Sequence, residues 1–316
     1  MSEVNVKDLK IVFMGTPEYA QVVLSSLIGN GFNVSLVICQ PDKPIGRKKI
    51  ITPPPAKVTA VENNISVFQP ETFRDDLSYE TVLKYEPDLI ITAAYGKILP
   101  QRVLDIPKYG CINVHASLLP KYRGASPVHA SILNGEKETG VTVMNMDAGM
   151  DTGDILVQAK TPIDINIDTL ALTEELSRIG AELLVSMLQD YVDGKITPLK
   201  QDENLVTNCK PIVSEDGLID WNESAVTIHN KIRALAGWPG AYSLAGDNKF
   251  KFYRSHLIDE DFEGVPGTIV KAKKGDLFIK CGQGVIAIDE LQQPGGKRLA
   301  ALDCAHNFTV GKIIGE

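Results

Sequence analysis

LKIVFMGTPEYAQVVLSSLIGNGFNVSLVIC, running from Leu9 to Cys39, decides the fold. Leu9 to Met14 is a short apolar run that stops at Gly15, with Pro17 just beyond. From Glu18 to Ile28 the apolar residues Tyr19, Val22, Val23, Leu27 and Ile28 recur at helical spacing, and Gly29, Asn30 and Gly31 end the run. Asn33 to Cys39 reads as a second strand. Strand, helix and strand within about 30 residues is the signature of a parallel sheet built through helical crossovers.

Working outward, the cycle repeats. Lys57 to Asn64 reads as a helix, Ser66 to Phe68 as a strand and Leu77 to Tyr85 as a helix. Asp88 to Ala94 reads as a fully apolar strand of the kind buried on both faces. Gly110 to His115 and Gly140 to Met144 supply two more. This is an α/β, doubly wound, Rossmann-like pattern, whose ligands belong beyond the carboxyl ends of the strands. Gly15 invites comparison with the dinucleotide fingerprint, but the sequence after it lacks the further glycines, which argues against bound NAD. A tight strand-to-helix turn is the reading for Gly15.

Thr169 to Val192 reads as a long amphipathic helix interrupted at Gly180. Beyond about residue 207 the pattern changes to short strands with frequent turns: Lys249 to Tyr253, Gly267 to Val270, Asp276 to Lys280 and Val285 to Leu291, with a helix from Ala225 to Ala236. That spacing predicts a small β-barrel or sandwich. The expected division is residues 1–206 and 207–316.

The composition, 44% hydrophobic and 23% charged with a mean hydropathy of -0.02, is that of a globular protein. No apolar run approaches the length of a membrane span, and Met1 to Lys10 lacks the features of a targeting peptide, so the cytoplasm is the expected location. The cysteines, Cys39, Cys111, Cys209, Cys281 and Cys304, are scattered and show no metal-site spacing. Cys39 and Cys111 sit in apolar runs and read as small buried hydrophobes. A net charge of -8 argues against a general nucleic-acid binder; any RNA contact must use local patches.

Two stretches carry polar groups to strand ends. Asn113 and His115 are two residues apart at the end of a predicted strand and so point to one face, where buried polar side chains need partners or a function. Taken singly, the closing of a turn competes as the lesser reading for Asn113, and His115 is equally a satisfied core histidine. Further on, Met146-Asp-Ala-Gly-Met-Asp-Thr-Gly-Asp154 is a glycine-punctuated acidic loop that also follows a strand. A solvated turn and a metal loop compete for it, but the calcium-loop pattern and its terminal glutamate are missing, and no metal is expected.

Asn113-Val-His-Ala-Ser-Leu-Leu-Pro120 together with Asp147-Ala-Gly-Met-Asp-Thr-Gly-Asp154 resembles the paired signature of the folate-dependent formyltransferases. Ala116, Tyr122-Arg-Gly-Ala-Ser-Pro127, Gln40-Pro-Asp-Lys-Pro-Ile-Gly-Arg47, Ile232-Arg-Ala-Leu235 and Trp238-Pro-Gly-Ala241 are similar to the branch acting on methionyl-tRNA. The likeness spans essentially the whole chain. It departs at Gly237, where a proline is usual, and in Arg47-Lys48-Lys49, which lacks the glycine often found in that basic run.

The resemblance implies a Rossmann-like catalytic domain followed by an OB-like barrel that binds tRNA. It implies Asn113, His115 and Asp151 as the catalytic set, and Lys97, Ile98, Leu99, Ser117, Leu118, Leu119 and Pro120 as the border of the folate pocket. Packing in the core competes for Leu118 and Leu119. The basic segment Lys43, Arg47, Lys48 and Lys49, read as irregular, is the implied grip on tRNA phosphates, against the alternative of a solvated charge run. Lys271, Lys273, Lys274 and Lys280 are weaker candidates beside acidic Asp259 to Glu263. The implied co-substrate is 10-formyltetrahydrofolate, the implied partner initiator methionyl-tRNA, and no obligate protein partner is indicated. In such a reaction a neutral amine attacks the formyl carbon through a tetrahedral intermediate, so no nucleophilic serine or cysteine is needed. Transfer to an amino sugar nucleotide, and an inactive folate- or RNA-binding module, are the rival readings.

Overall fold

A computed structural model describes residues 4–46 and 48–315. The chain divides into two compact units: the first takes residues to Pro127 with Glu138–Thr161 and Thr173–Cys209, the second Val128–Lys137, Pro162–Leu172 and Lys210 onward.

In the first unit β1 (Ile11–Gly15) leads through α1 (Glu18–Gly29) to β2 (Val34–Ile38), which lies parallel to it. A hairpin of β3 (Lys43–Ile45) and β4 (Ile50–Thr52) follows, then α2 (Pro55–Glu62), β5 (Ser66–Phe68) and α3 (Asp76–Lys84). β6 (Leu89–Ala93), α4 (Gln101–Leu104), β7 (Cys111–His115) and the short β8 (Arg123–Gly124) come next. After α5 (Pro127–Leu133), which beyond Pro127 belongs to the second unit, strands β9 (Glu138–Asn145) and β10 (Ile155–Pro162) complete a seven-stranded sheet in the order β10-β9-β7-β6-β1-β2-β5. β6 and β7 run parallel with β1, and β9 runs antiparallel to β7. The chain leaves β1 first toward β2 and then returns to its other side at β6, so the order reverses between β1 and β6. A crevice opens at the carboxyl ends of such strands.

All five residues of β1 and of β6 are buried, which matches the unbroken apolar runs of the sequence. Each buried isoleucine or leucine contributes about 1.5–3 kcal/mol. One strand residue breaks the expected pattern: Thr92, 3% exposed, sits in the run read as fully apolar.

Gly15 makes the turn into α1 as expected, because a β-carbon there would lie 2.5 Å from Ala20 Cβ and 2.7 Å from the Ala93 carbonyl oxygen. Gly180 departs from expectation. Thr169–Val192 is one continuous helix, α6, and Gly180 does not interrupt it. A β-carbon on Gly180 would come within 2.8 Å of Val114 Cγ1 and 3.2 Å of Val141 Cγ1. The glycine lets the helix lie close against β7 and β9.

The second unit continues from β11 (Asn208–Cys209), which belongs to the first, through α7 (Ala225–Ala234) into β12 (Ala241–Ala245), β13 (Asn248–Leu257), β14 (Ile269–Lys273), β15 (Asp276–Lys280), β16 (Val285–Gln292), β17 (Arg298–Ala300) and α8 (Ala301–Cys304). The sheet order is β12-β13-β16-β15-β14, with β17 on β16. Its core gathers Trp221, Ile228, Ile232, Phe252 and Ile286, with Trp221 edge-on to Phe252 at 5.6 Å between ring centres. The OB-like barrel expected here is not closed: among the described residues the two edge strands do not pair. Other segments occupy the edges. Ile219 N–H donates to the Tyr242 carbonyl beside β12, and Ile269 N–H donates to the Lys312 carbonyl beside β14. At these positions the edges are paired with segments other than each other.

Candidate active site

β6 and β7 set the site. In their parallel register Thr92 lies opposite Asn113, and across β7 Asn113 and His115 lie opposite Met144 and Thr142 of β9. Strand alternation brings Asn113 and His115 to the same face, beyond which the chain breaks into loops.

Asn113 is oriented from below. Thr92 Oγ1 donates to Asn113 Oδ1 at 2.8 Å, so the carboxamide oxygen is taken and its Nδ2 faces the other way. There Nδ2 meets Asp151 Oδ1 at 3.5 Å, the outer limit of a hydrogen bond. His115, 7% exposed, has Nε2 3.0 Å from the Tyr122 carbonyl oxygen. A carbonyl only accepts, so Nε2 carries the proton and Nδ1 keeps the lone pair in the neutral ring. Nδ1 points at Asp151 Oδ1, 3.6 Å away. A carboxamide donor, an imidazole lone pair and a carboxylate thus share one neighbourhood.

Asp151 reaches that place through an unusual backbone. Its φ is +55°, in the left-handed region that non-glycine residues rarely adopt. The other carboxylate oxygen, Oδ2, accepts the Gly124 N–H at 2.8 Å. Gly124 itself has φ +120°, and a β-carbon there would fall 2.3 Å from the Cys209 carbonyl oxygen. Within the acidic loop Asp147 Oδ1 accepts from Gly149 N–H at 3.0 Å and from Thr152 Oγ1 at 2.6 Å.

The remaining expected site residues divide. Ser117 is fully buried; its hydroxyl donates to the Lys121 carbonyl and its own carbonyl accepts from Thr142 Oγ1, both at 2.7 Å. Leu119 packs with Met144 and Ile155, and Leu99 joins the core beneath β1 and β6. Leu118 and Pro120 are half-buried, and Ile98 is exposed. Lys97 Nζ is committed to the carbonyls of Pro70 and Glu71 at 2.6 and 2.7 Å, where it ties down a loop. Thr16 and Gln40, given no role from the sequence, both donate to the Tyr95 carbonyl, at 3.3 and 3.0 Å, and hold the loop after β6 at the reversal point of the sheet.

The basic segment is a hairpin and not the irregular loop expected. Lys43 lies on β3, and Lys48 and Lys49 lie in its turn, all exposed; Arg47 lies outside the described residues. Ile45, Ile50 and Ile51 are at least 60% exposed beside them. In the second unit, Lys271 pairs with Asp276 at 2.8 Å and Lys280 with Asp261 at 2.9 Å, so carboxylates already neutralise two of the four lysines proposed for phosphate.

No thiol is poised as a nucleophile here. Burial pushes the Cys39 thiol up to about 11 and that of Cys111 to about 12, and burial likewise raises Cys209 beside the site.

The formyl transferase family matches residues 9–188, and its C-terminal domain matches residues 211–309. The methionyl-tRNA formyltransferase of Citrifermentans bemidjiense is 46% identical over 98% of this chain and 97% of that protein. The one from Caldicellulosiruptor saccharolyticus is 43% identical over 96% and 98%. Among solved structures, the N-formyltransferase of Helicobacter canadensis, in complex with folinic acid and dTDP-3-aminofucose, superimposes with a TM-score of 0.64. It is 22% identical and covers 92% of this chain and 100% of that one. HypX of Aquifex aeolicus, in complex with tetrahydrofolic acid, gives 0.64 at 19% identity over 93% of this chain and 46% of that one. At such identities these structures speak for the fold.

Proposed function

Because the chain belongs to the methionyl-tRNA formyltransferases, we infer that it moves the formyl group of 10-formyltetrahydrofolate onto the amine of methionyl initiator tRNA. The observation that carries the reading is the convergence of Asn113 Nδ2 and His115 Nδ1 on Asp151, beyond the end of β7.

The chemistry needs a donor where charge develops on the formyl oxygen and a base for the proton that the attacking amine sheds. Asn113 Nδ2 suits the first task. It is neutral, pre-aimed by Thr92, and only loosely engaged by Asp151. His115 Nδ1 suits the second, since it holds the lone pair. Once protonated, it can donate in turn, to the same oxygen or to the departing folate nitrogen. Asp151 stabilises the imidazolium so formed, from 3.6 Å away. His115 Nε2–H, held by Tyr122, takes no part in the transfer and keeps the ring in place. The folate carrier supplies the activated formyl group, and the half-buried Leu118 and Pro120 and exposed Ile98 are the accessible part of the wall proposed for it. Lys43, Lys48 and Lys49 supply phosphate contacts to the tRNA.

The test is formyl transfer measured side by side on charged initiator tRNA and on an amino sugar nucleotide. Turnover on the tRNA alone is the expected result. Turnover on the sugar with none on the tRNA overturns the substrate assignment, and turnover on neither overturns the activity.

A further inference from the structure

Resting on the assignment of Asp151, we infer that Gln201 is a positioning residue for the transfer: its carboxamide fixes the backbone of Asp151 and so the gap between Asp151 and His115. Gln201 lies between the two family matches, which end at 188 and begin at 211.

Gln201 Nε2 donates both its hydrogens within the acidic loop, to the Asp151 carbonyl at 2.8 Å and the Gly153 carbonyl at 2.7 Å. Those bonds clamp the chain on either side of Thr152, where Asp151 holds its left-handed φ and Gly153 approaches the Asn145 carbonyl so closely that a β-carbon would fall 1.9 Å from its oxygen. A left-handed aspartate persists only when its surroundings over-determine it. Here the main chain is held by Gln201 and the side chain by Gly124 N–H.

The amide is itself held in one orientation. Arg123 Nε donates to Gln201 Oε1 at 3.0 Å, so the NH2 end must face the loop. Arg123 is 6% exposed and is braced by Glu203, with Nη2 to Oε1 at 2.8 Å. Two residues before Gln201, Leu199 exchanges a pair of 2.8 Å backbone hydrogen bonds with Ile155. The next residue after Arg123 is Gly124, the donor to Asp151 Oδ2. Arg123, Gln201, Asp151 and Gly124 therefore close a ring: the main chain of Asp151 is tied to Gln201 and its side chain to Gly124, and Arg123 joins the two.

Gln201→Met keeps the bulk and removes donors and acceptor. It should lower kcat about 10- to 100-fold, as a misplaced catalytic group does. KM for folate and tRNA should stay within about two-fold, since Gln201 reaches only the Asp151 loop and Arg123. The fall in kcat with KM held is the distinguishing readout, because a residue that only supports the fold moves the melting temperature and leaves the kcat of the folded enzyme unchanged. A Q201M enzyme with a lowered melting temperature but unchanged kcat overturns the inference. Gln201→Ala stands in if Q201M does not fold; the same outcomes apply. Asp151→Asn is measured alongside. If D151N turns over like wild type, the assignment of Asp151 itself fails; if D151N is inactive and Q201M is unaffected, only the role of Gln201 fails.

Discussion

Asn113→Ala should separate catalysis from folding. In the resting site the Asn113 Nδ2 donor meets Asp151 at 3.5 Å, a bond too long to contribute much. The carboxamide oxygen accepts from Thr92, but Thr92 Oγ1 also lies 3.2 Å from Met146 Sδ and 3.4 Å from the Ile112 carbonyl, so it retains acceptors once Asn113 is gone. The fold therefore loses about one net hydrogen bond, about 1 kcal/mol. On the proposed role of Asn113, the transition state loses a preorganised donor to the developing charge, which costs about 2.7–4 kcal/mol, or about 10²- to 10³-fold in kcat. Single-turnover formyl transfer gives the rate, titration gives folate affinity, and a thermal melt gives stability. A kcat within about five-fold of wild type, equivalent to about 1 kcal/mol, would refute the role of Asn113 as the oxygen donor.

Gly180→Ala sets a β-carbon 2.8 Å from Val114 Cγ1 between α6 and the sheet, and overpacking of this kind should destabilise the protein by about 1–3 kcal/mol, read as a lowered denaturant midpoint. Removing Lys43, Lys48 and Lys49 together should raise KM for tRNA and flatten its dependence on salt by about 0.9 logarithmic units for each phosphate no longer neutralised; an unchanged salt slope removes the hairpin from the RNA interface. Burial lowers the pKa of His229, whose Nε2 donates to the Ile165 carbonyl at 2.8 Å. The unfolded chain then binds the extra proton first, so stability is fully present above the ordinary histidine value near 6.5 and is lost as pH falls from there through the depressed folded value. Melts from pH 8 to 5 should show this slope, and His229→Gln should reduce it.

Periodicity made the framework of the first unit legible. The alternation of polar and apolar residues between Gly110 and His115 also placed Asn113 and His115 on one face, since a strand has no other way to arrange them. Other features arise from contacts that no local pattern encodes. Asp151 came from the resemblance alone; its partners Gly124 and Gln201 are 27 and 50 residues away in sequence. Thr92 was hidden among its neighbours, although one hydroxyl in so apolar a strand is itself a signal that something polar lies beside it. Gly180 shows the ambiguity of the residue: the same missing β-carbon that weakens a helix also permits close packing, and only the facing valines decide which applies. In the second unit the edges of the open sheet are met by segments outside the predicted strands, at Ile219 and Lys312, which strand patterning does not mark.

β8 and β11 pair in parallel, with Arg123 opposite Asn208 and Gly124 opposite Cys209, and this bears on how the enzyme comes into being. Tyr122 N–H donates to Thr207 Oγ1 across 85 residues, and Arg123 N–H to the Thr207 carbonyl. A nascent chain synthesised only as far as β10 has every strand of the large sheet but none of the segment from Leu199 to Cys209. Pairings of such long range form late, after the local crossovers have collapsed. The segment that holds Arg123 and Gly124 is therefore the last part of the first unit to be synthesised, and the proposed arrangement around Asp151 is completed only with it.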